Sequence, residues 1–398
     1  MSTIASTPGL MRVLVSSVIA RLPLPMLGIG LLVHAEHLTG SFAAAGIVAG
    51  AYAVATGVGG PLLGRLVDRR GQTTVLVAGA VASAALLGAV AVLPVGTGLG
   101  AIVALASGVG LTAPPVGACA RTLLPDLVTD PETVRKAYAI DATAVEFTWV
   151  FGPPLALGLG AATSTGAALA AAGAILLAGT AVFAAEPASR RWRPGKTERP
   201  RGGSLSAPGI RTLVLALVAV GIVFGAAEVG VAAAAEALHG TAIAGPLLAL
   251  WGLGSLAGGV LATRLGGGTD SAGGLTVVLA ALAAGHLALA AAAGSLAALA
   301  LTLLAAGTAI APAYASVYAM VERLAPAGTV TEAFAWLSTA AAIGTAAGAA
   351  GAGPLAEAMG PVAAFVLAGS AGAVAAVLTA LRTSTLAPRP VVAALATA

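Results

Sequence analysis

Long apolar stretches alternate with short polar breaks along almost the whole chain. Windows of about 20 apolar residues, enough to cross a ~30 Å hydrocarbon core as helix, fall near 11–35, 42–63, 73–94, 97–120, 137–161 and 164–185. Six more fall near 210–233, 241–263, 274–293, 295–320, 332–353 and 359–381. The runs are continuously apolar rather than alternating, which predicts helices and not a β-barrel. The pattern predicts an all-α membrane protein of twelve transmembrane helices. A stretch rich in Arg, Pro and Gly, Glu186 to Arg211, separates the first six from the second. Its composition buries no core and is expected to stay flexible. The expected organisation is a first half at 1–186, a basic linker at 187–209 and a second half at 210–398.

The two halves echo each other. Gly64-x-x-x-Asp68-Arg69-x-Gly71 recurs as Gly259-x-x-x-Thr263-Arg264-x-Gly266, with the acid lost. Ala113-Pro114 recurs as Ala311-Pro312, Ala137-Tyr138-Ala139 as Ala333-Phe334-Ala335, and Gly152-Pro153 as Gly353-Pro354. Four pairs in order, at offsets of 195 to 201 residues, argue for duplication of a six-helix unit.

Composition fits this reading. Of 398 residues, 59% are hydrophobic and 9% charged, with a mean hydropathy of +1.01, far more apolar surface than a soluble chain can bury. Abundant Gly and Ala suit closely packed membrane helices. The basic residues are scattered among loops rather than gathered on one face, so the pI of about 9.7 does not indicate nucleic-acid binding. They sort by topology. With the amino terminus inside, Arg12, Arg65, Arg69, Arg70, Arg121, Arg135, Lys136, Arg264, Arg323, Arg382, Arg389 and the linker's Arg190, Arg191, Arg193, Lys196, Arg199 and Arg201 all fall on the cytoplasmic side. The expected location is the inner (plasma) membrane, multi-pass, with both termini cytoplasmic. The first apolar run is long enough to remain as a span rather than a removable signal. The single cysteine, Cys119, permits no intramolecular disulfide and reads as a small buried hydrophobe.

The densest charge of the first half is the loop Gly64-Arg65-Leu66-Val67-Asp68-Arg69-Arg70-Gly71. It reads as a tight cytoplasmic turn between two spans. Asp68 is placed to answer either a neighbouring arginine or the positive N-terminus of another helix. The pattern Gly64-Arg65-x-x-Asp68-Arg69-x-Gly71 resembles the loop between the second and third helices of the major facilitator superfamily of secondary transporters. Gln72 and Thr73 stand where further basic residues are usual in that family. The resemblance implies two parallel six-helix halves with substrate bound near the midplane, and a gating role for the loop in which Asp68 latches the halves together. Gly152-Pro153 similarly resembles the Gly-Pro motif of the exporter branch, with Thr148 replacing the preceding glycine. Transporters of this kind are monomeric, and the same is expected here.

Charged groups at membrane depth are the candidate transport residues. Arg21 lies about ten residues into the first span, ~15 Å deep. Pro23 and Pro25 follow it, so the helix should kink beside its charge. Glu146, some nine residues into the fifth span, reaches similar depth and is a candidate partner. Asp141, nearer the membrane edge, is expected to meet Arg121 or Arg135. Glu228 on the seventh span is a deep acid without an intramembrane base in its own half, suited to carry a proton. His286 on the ninth span titrates near neutral pH, or is a hydrogen-bonded packing residue. The stretch Ala104 to Gly110 lacks the arginine that many proton-coupled exporters carry near the start of the fourth span.

No nucleophile elbow, phosphate loop or metal-spaced histidine pair is present. The histidines His34 and His37 around Glu36 would undersupply a metal. No enzyme, cofactor or metal site is expected. The expected function is secondary transport of a small molecule by alternating access, with proton-coupled efflux of a lipophilic or amphipathic compound favoured. The rivals are an importer or uniporter of a small metabolite and a non-transporting sensor or scaffold of the same fold.

Overall fold

The computed structural model describes residues 7, 9–128, 130–194, 200–238, 240 and 243–387. Lys196, Arg199 and Arg389 lie outside them. The first six spans are Leu10–Thr39, Phe42–Arg70, Gln72–Ala91, Leu99–Leu127, Pro131–Ala162 and Thr165–Ala185. The second six are Pro208–Leu238, Ala244–Arg264, Ala272–Ala292, Leu296–Leu324, Val330–Met359 and Pro361–Leu381. Eleven of these are long and apolar enough to cross a membrane on composition alone. The fifth, 32 residues long, also carries Glu132, Arg135, Lys136, Asp141 and Glu146.

Three spans are broken, each beside proline or small residues. The first breaks at Leu22, between the helices Leu10–Arg21 and Pro23–Thr39. The fourth breaks between Thr112 and Val116, across Pro114 and Pro115. The tenth breaks between Gly307 and Ile310. Proline lacks the amide that would continue the helical ladder, so the break beside Arg21 follows from Pro23 and Pro25.

The first and last described helical turns and the described parts of the linker lie on one face of the bundle, called here the linker face. The loops of the opposite face carry no Lys or Arg. In its described parts the linker has more local structure than its composition predicts. It forms a short helix, Pro187–Arg191, whose Ser189 hydroxyl donates to the Gln72 side-chain oxygen at 3.1 Å, and a 3-10 turn at Gly203–Ser206.

The halves meet through the second span on the eleventh and the fifth on the eighth and tenth. This seam is one-sided. One buried cluster joins Leu10, Leu14, Ala118, Leu124 and Tyr138 of the first half to the core of the second. These residues lie toward the linker face. Toward the opposite face, the first half's core around Met26, Leu38, Val48, Leu87 and Ile102 contains no second-half residue.

Candidate functional site

The seam is held at its linker-face edge by the loop that the sequence singled out. Gly64 lets the second span approach the backbone of Thr331 and Glu332. Asp68, 2% exposed, accepts the backbone N–H of Thr331 at 3.2 Å and of Glu332 at 2.8 Å. The carboxylate therefore answers a helix N-terminus. Arg65 donates through Nε and Nη2 to the two oxygens of Glu332, at 3.2 and 2.8 Å. Linker residue Gly203 lies against this pair with φ of 61°, and a Cβ there would overlap both side chains. Farther in, the Thr122 and Thr331 hydroxyls are 3.2 Å apart and Thr339 donates to Gly57 O at 2.8 Å.

Beneath this latch, Arg21 sits at the last turn before the first-span break. Its Nη2 donates to Asp141 Oδ1 at 2.5 Å and to the Ser17 hydroxyl at 2.9 Å, and its Nε to Ser17 O at 3.1 Å. Arg121 donates to the other oxygen of Asp141 at 2.8 Å. Two guanidinium groups thus share one carboxylate, leaving a net charge of +1 on three buried residues. Arg121 also lies over the Tyr318 ring, 4.0 Å from its centroid, a cation–π contact across the seam. Tyr138, Tyr318 and Phe334 close a triangle of rings there, with centroids 5.8 to 6.4 Å apart.

These positions correct two expectations. Arg21 pairs with Asp141 and not with Glu146. The fifth span begins at Pro131 rather than near 137, so Asp141 is ten residues, ~15 Å, from its end and level with Arg21. Arg121 is not beyond the fourth span but buried within it, because the second helix of that span runs to Leu127. The fourth span does carry a buried arginine, at its linker-face end.

Glu146 is half-buried on the seam, beside the Ser255 side chain and within electrostatic reach of Tyr314 and Tyr318. From Tyr318 an aromatic series runs through Tyr314 to Phe224, Trp251 and His286, with successive centroids 5.8, 6.0, 5.5 and 5.7 Å apart. His286 Nδ1 is 2.7 Å from Leu282 O, an acceptor, so Nδ1 carries a proton. His286 Nε2, Trp251 Nε1 and the Ser255 hydroxyl are buried without a well-formed hydrogen bond. Glu228, exposed, lies one turn beyond Phe224 on the seventh span. The structure thus places Arg21 and Glu146 of the first half within electrostatic reach of Tyr318, where the second half's aromatic series begins, with Glu228 one turn beyond Phe224 and His286 behind Trp251.

Gly152 packs against Pro25 and the carbonyl of Leu22, which seats the Gly152-Pro153 pair on the first-span break. His34 is tied to Thr165 Oγ1 at 2.8 Å and Val90 O at 3.0 Å, both its nitrogens engaged in packing. Among the described residues no group of three His, Cys, Asp or Glu could hold a metal. A cavity of about 260 Å³ between Gly30, Val33, Ala156 and Ala168 is lined almost wholly by apolar residues.

A family model described as Major Facilitator Superfamily matches residues 13–283. No curated protein matches the chain. Among solved structures it resembles the human organic anion transporter MFSD10 (TETRAN), with a TM-score of 0.73 at 18% identity over 94% of this chain and 100% of that one. A bacterial homologue of the iron transporter ferroportin, in an outward-facing state, gives a TM-score of 0.73 at 18% identity over 94% and 99%. The E. coli fucose:proton symporter FucP gives 0.70 at 17% identity over 96% and 99%. At these identities the likenesses establish the fold.

Proposed function

The chain belongs to the Major Facilitator Superfamily, and from that premise we propose that it moves a small amphipathic or lipophilic compound across the inner membrane by alternating access. The linker face is assigned to the cytoplasm, following the Lys/Arg excess. The observation that carries the proposal is the one-sided seam. Latch, guanidinium pair and ring triangle close the linker face, while the first half's core toward the other face stands apart from the second half. In this reading residues 1–186 rock against 210–398 about the midplane, with 187–209 as tether, and the arrangement described is the outward-open one.

Proton-coupled export is the version favoured. Glu146 and Glu228 are carboxylates at membrane depth, where an ionisable group is a functional candidate by default, and Glu146 lies beside Ser255 and within electrostatic reach of Tyr314 and Tyr318. Gly152-Pro153, seated on the first-span break, supports export through its resemblance to the exporter motif. The similar structures that act on organic anions, iron and fucose support a small-molecule cargo. The test is proton movement in sealed vesicles holding purified protein, challenged with lipophilic drugs and small metabolites. Proton flux evoked by one compound, and lost in Glu146→Gln or Glu228→Gln, is the expected result. Absence of flux for every compound, with binding retained and independent of pH, would overturn coupled transport.

A further inference from the structure

Beside the latch, on the linker face, lies a cavity of about 280 Å³ whose lining comes from three separate parts of the chain. The end of the second span supplies Arg65 and Arg69, the linker supplies Pro200, Arg201 and Gly203, and the start of the eleventh span supplies Gly328, Thr329 and Glu332. Arg65 is held by Glu332, whose side chain is only 2% exposed. Asp68, adjacent but buried, is turned onto the amides of Thr331 and Glu332. Both carboxylates are therefore directed elsewhere. Among the described residues Arg69 and Arg201 form no ion pair, and both are exposed. Two unpaired guanidinium groups converge on one concave site at the water boundary.

We propose that this cavity binds a phosphate monoester dianion, and that the bound anion holds the linker face shut. The charges match, since two guanidinium forks against a dianion form the planar, bidentate contacts for which arginine is suited. The state selectivity follows from the lining. Arg69 belongs to the first half, Thr329 and Glu332 to the second, and Arg201 to the linker, so separating the halves at this face dismantles the site. A ligand that binds one state only shifts the balance toward that state by its differential affinity. The anion is then a brake or a timer on the cycle, separate from the cargo path. Free phosphate and a phosphate-ended lipid headgroup share the chemistry, and the cavity's position at the end of a span gives access to both.

The test uses the full chain in a neutral detergent, with inorganic phosphate as one probe and short-chain phosphatidic acid, set against short-chain phosphatidylcholine, as the other. Cysteines introduced by Thr74→Cys and Ser384→Cys, both exposed on the linker face of opposite halves, report the distance between the halves. The native Cys119 is buried and does not interfere. Phosphate or phosphatidic acid is expected to raise Tm by about 2 °C or more at saturation, and to keep or shift the label pair to its short distance. Both effects should vanish in the Arg69→Gln/Arg201→Gln double variant and persist in Arg382→Gln, another exposed linker-face arginine. Response to phosphate identifies a soluble source, and response to phosphatidic acid alone identifies a headgroup. No response to either probe, an equal response in the double variant, or a lengthened distance on binding would overturn the proposal.

Discussion

The two junctions that close the linker face occupy equivalent places in the two halves but are built from different chemistry. At the first, the end of the second span lies on the start of the eleventh. At the second, the end of the eighth lies on the start of the fifth. Both use a glycine to let the spans approach, Gly64 against the backbone of Thr331 and Glu332, and Gly259 against the side chain of Thr143. They diverge where the repeated motif diverges. Asp68 reaches across the seam to the amides of Thr331 and Glu332. Its counterpart Thr263 turns back and donates to Gly259 O of its own helix at 2.8 Å. The capping of the receiving helices explains why. The fifth span has its own cap, Asp130, which accepts the Thr133 N–H at 2.8 Å. The eleventh has no side-chain cap of its own, and the Thr329 hydroxyl donates to Pro326 O instead. Asp68 is therefore the missing N-cap of the eleventh span, supplied by the other half. Opening the first junction uncaps a helix, whereas opening the second breaks only the long contacts of Arg135 with Gly266 O at 3.4 Å and Asp270 at 3.8 Å.

The sharpest way to break this contrast is Asp68→Ala. It removes two hydrogen bonds to a charged acceptor, each worth ~1.5–3 kcal/mol, although water recovers part of that once the amides are exposed. The ratio of closed to open linker face is expected to fall by roughly one to two orders of magnitude, read as a longer distance between labels at positions 74 and 384. An unchanged distance would mean that the cap does not hold the seam.

The second junction should fail through shape instead. Gly267 has a φ of 90° and lies so close to the Arg135 and Lys136 backbone that a Cβ would overlap it. Gly267→Ala adds left-handed strain, which open and closed states carry alike, to overpacking of ~1–3 kcal/mol against the other half, and the second of these is expected to lengthen the same distance by a somewhat smaller factor. A smaller effect still is expected of Thr329→Asp, which gives the eleventh span its own cap, worth ~1 kcal/mol, and sets a second carboxylate beside Asp68. The first junction would then open more readily although no contact between the halves is removed, only the local bond from the Thr329 hydroxyl to Pro326 O. If Thr329→Asp closes the face, the borrowed-cap account is wrong.

Much of this was legible in the chain, and the gaps share one cause. Apolar windows placed all twelve spans, and the prolines placed the kink beside Arg21. What they missed lies at amphipathic span ends near the water face. The helix Val116–Leu127 buries Val116, Cys119, Leu123 and Leu124 on one side and carries Arg121, Pro125 and Asp126 besides, so a window of uniformly apolar residues stops short of it. The fifth span lost its first six residues in the same way, which put Asp141 at the membrane edge and left Glu146 as the apparent partner of Arg21. Asp130-Pro131-Glu132, a capping residue with proline and an acid in the first turn, was the signal that the helix starts earlier. Depth alone would still not have chosen the partner, because five residues turn a helix by ~140°. The aromatic grip of Tyr318 on Arg121 joins spans that no sequence period links.

The smallest effect separates the two kinds of cap. The Thr133 hydroxyl, then the Thr133 amide, hold the Asp130 carboxyl below the usual carboxylate range. A depressed value means that the charged form is favoured by the folded chain. Its contribution is present above the unfolded value of ~3.9 and is lost as pH falls through the folded one. Lowering the pH from 7 to 5 should therefore leave the first turn of the fifth span capped, and hydrogen exchange at the Thr133 amide should quicken only in strongly acid solution. Asp130→Ala should show that quickened exchange at every pH. It should leave the distance between positions 74 and 384 unchanged, because Asp130 and Thr133 belong to one helix and travel together whichever face is open. A lengthened distance in Asp130→Ala would show that the second junction, like the first, depends on the cap of its receiving helix, and the contrast between the two would collapse.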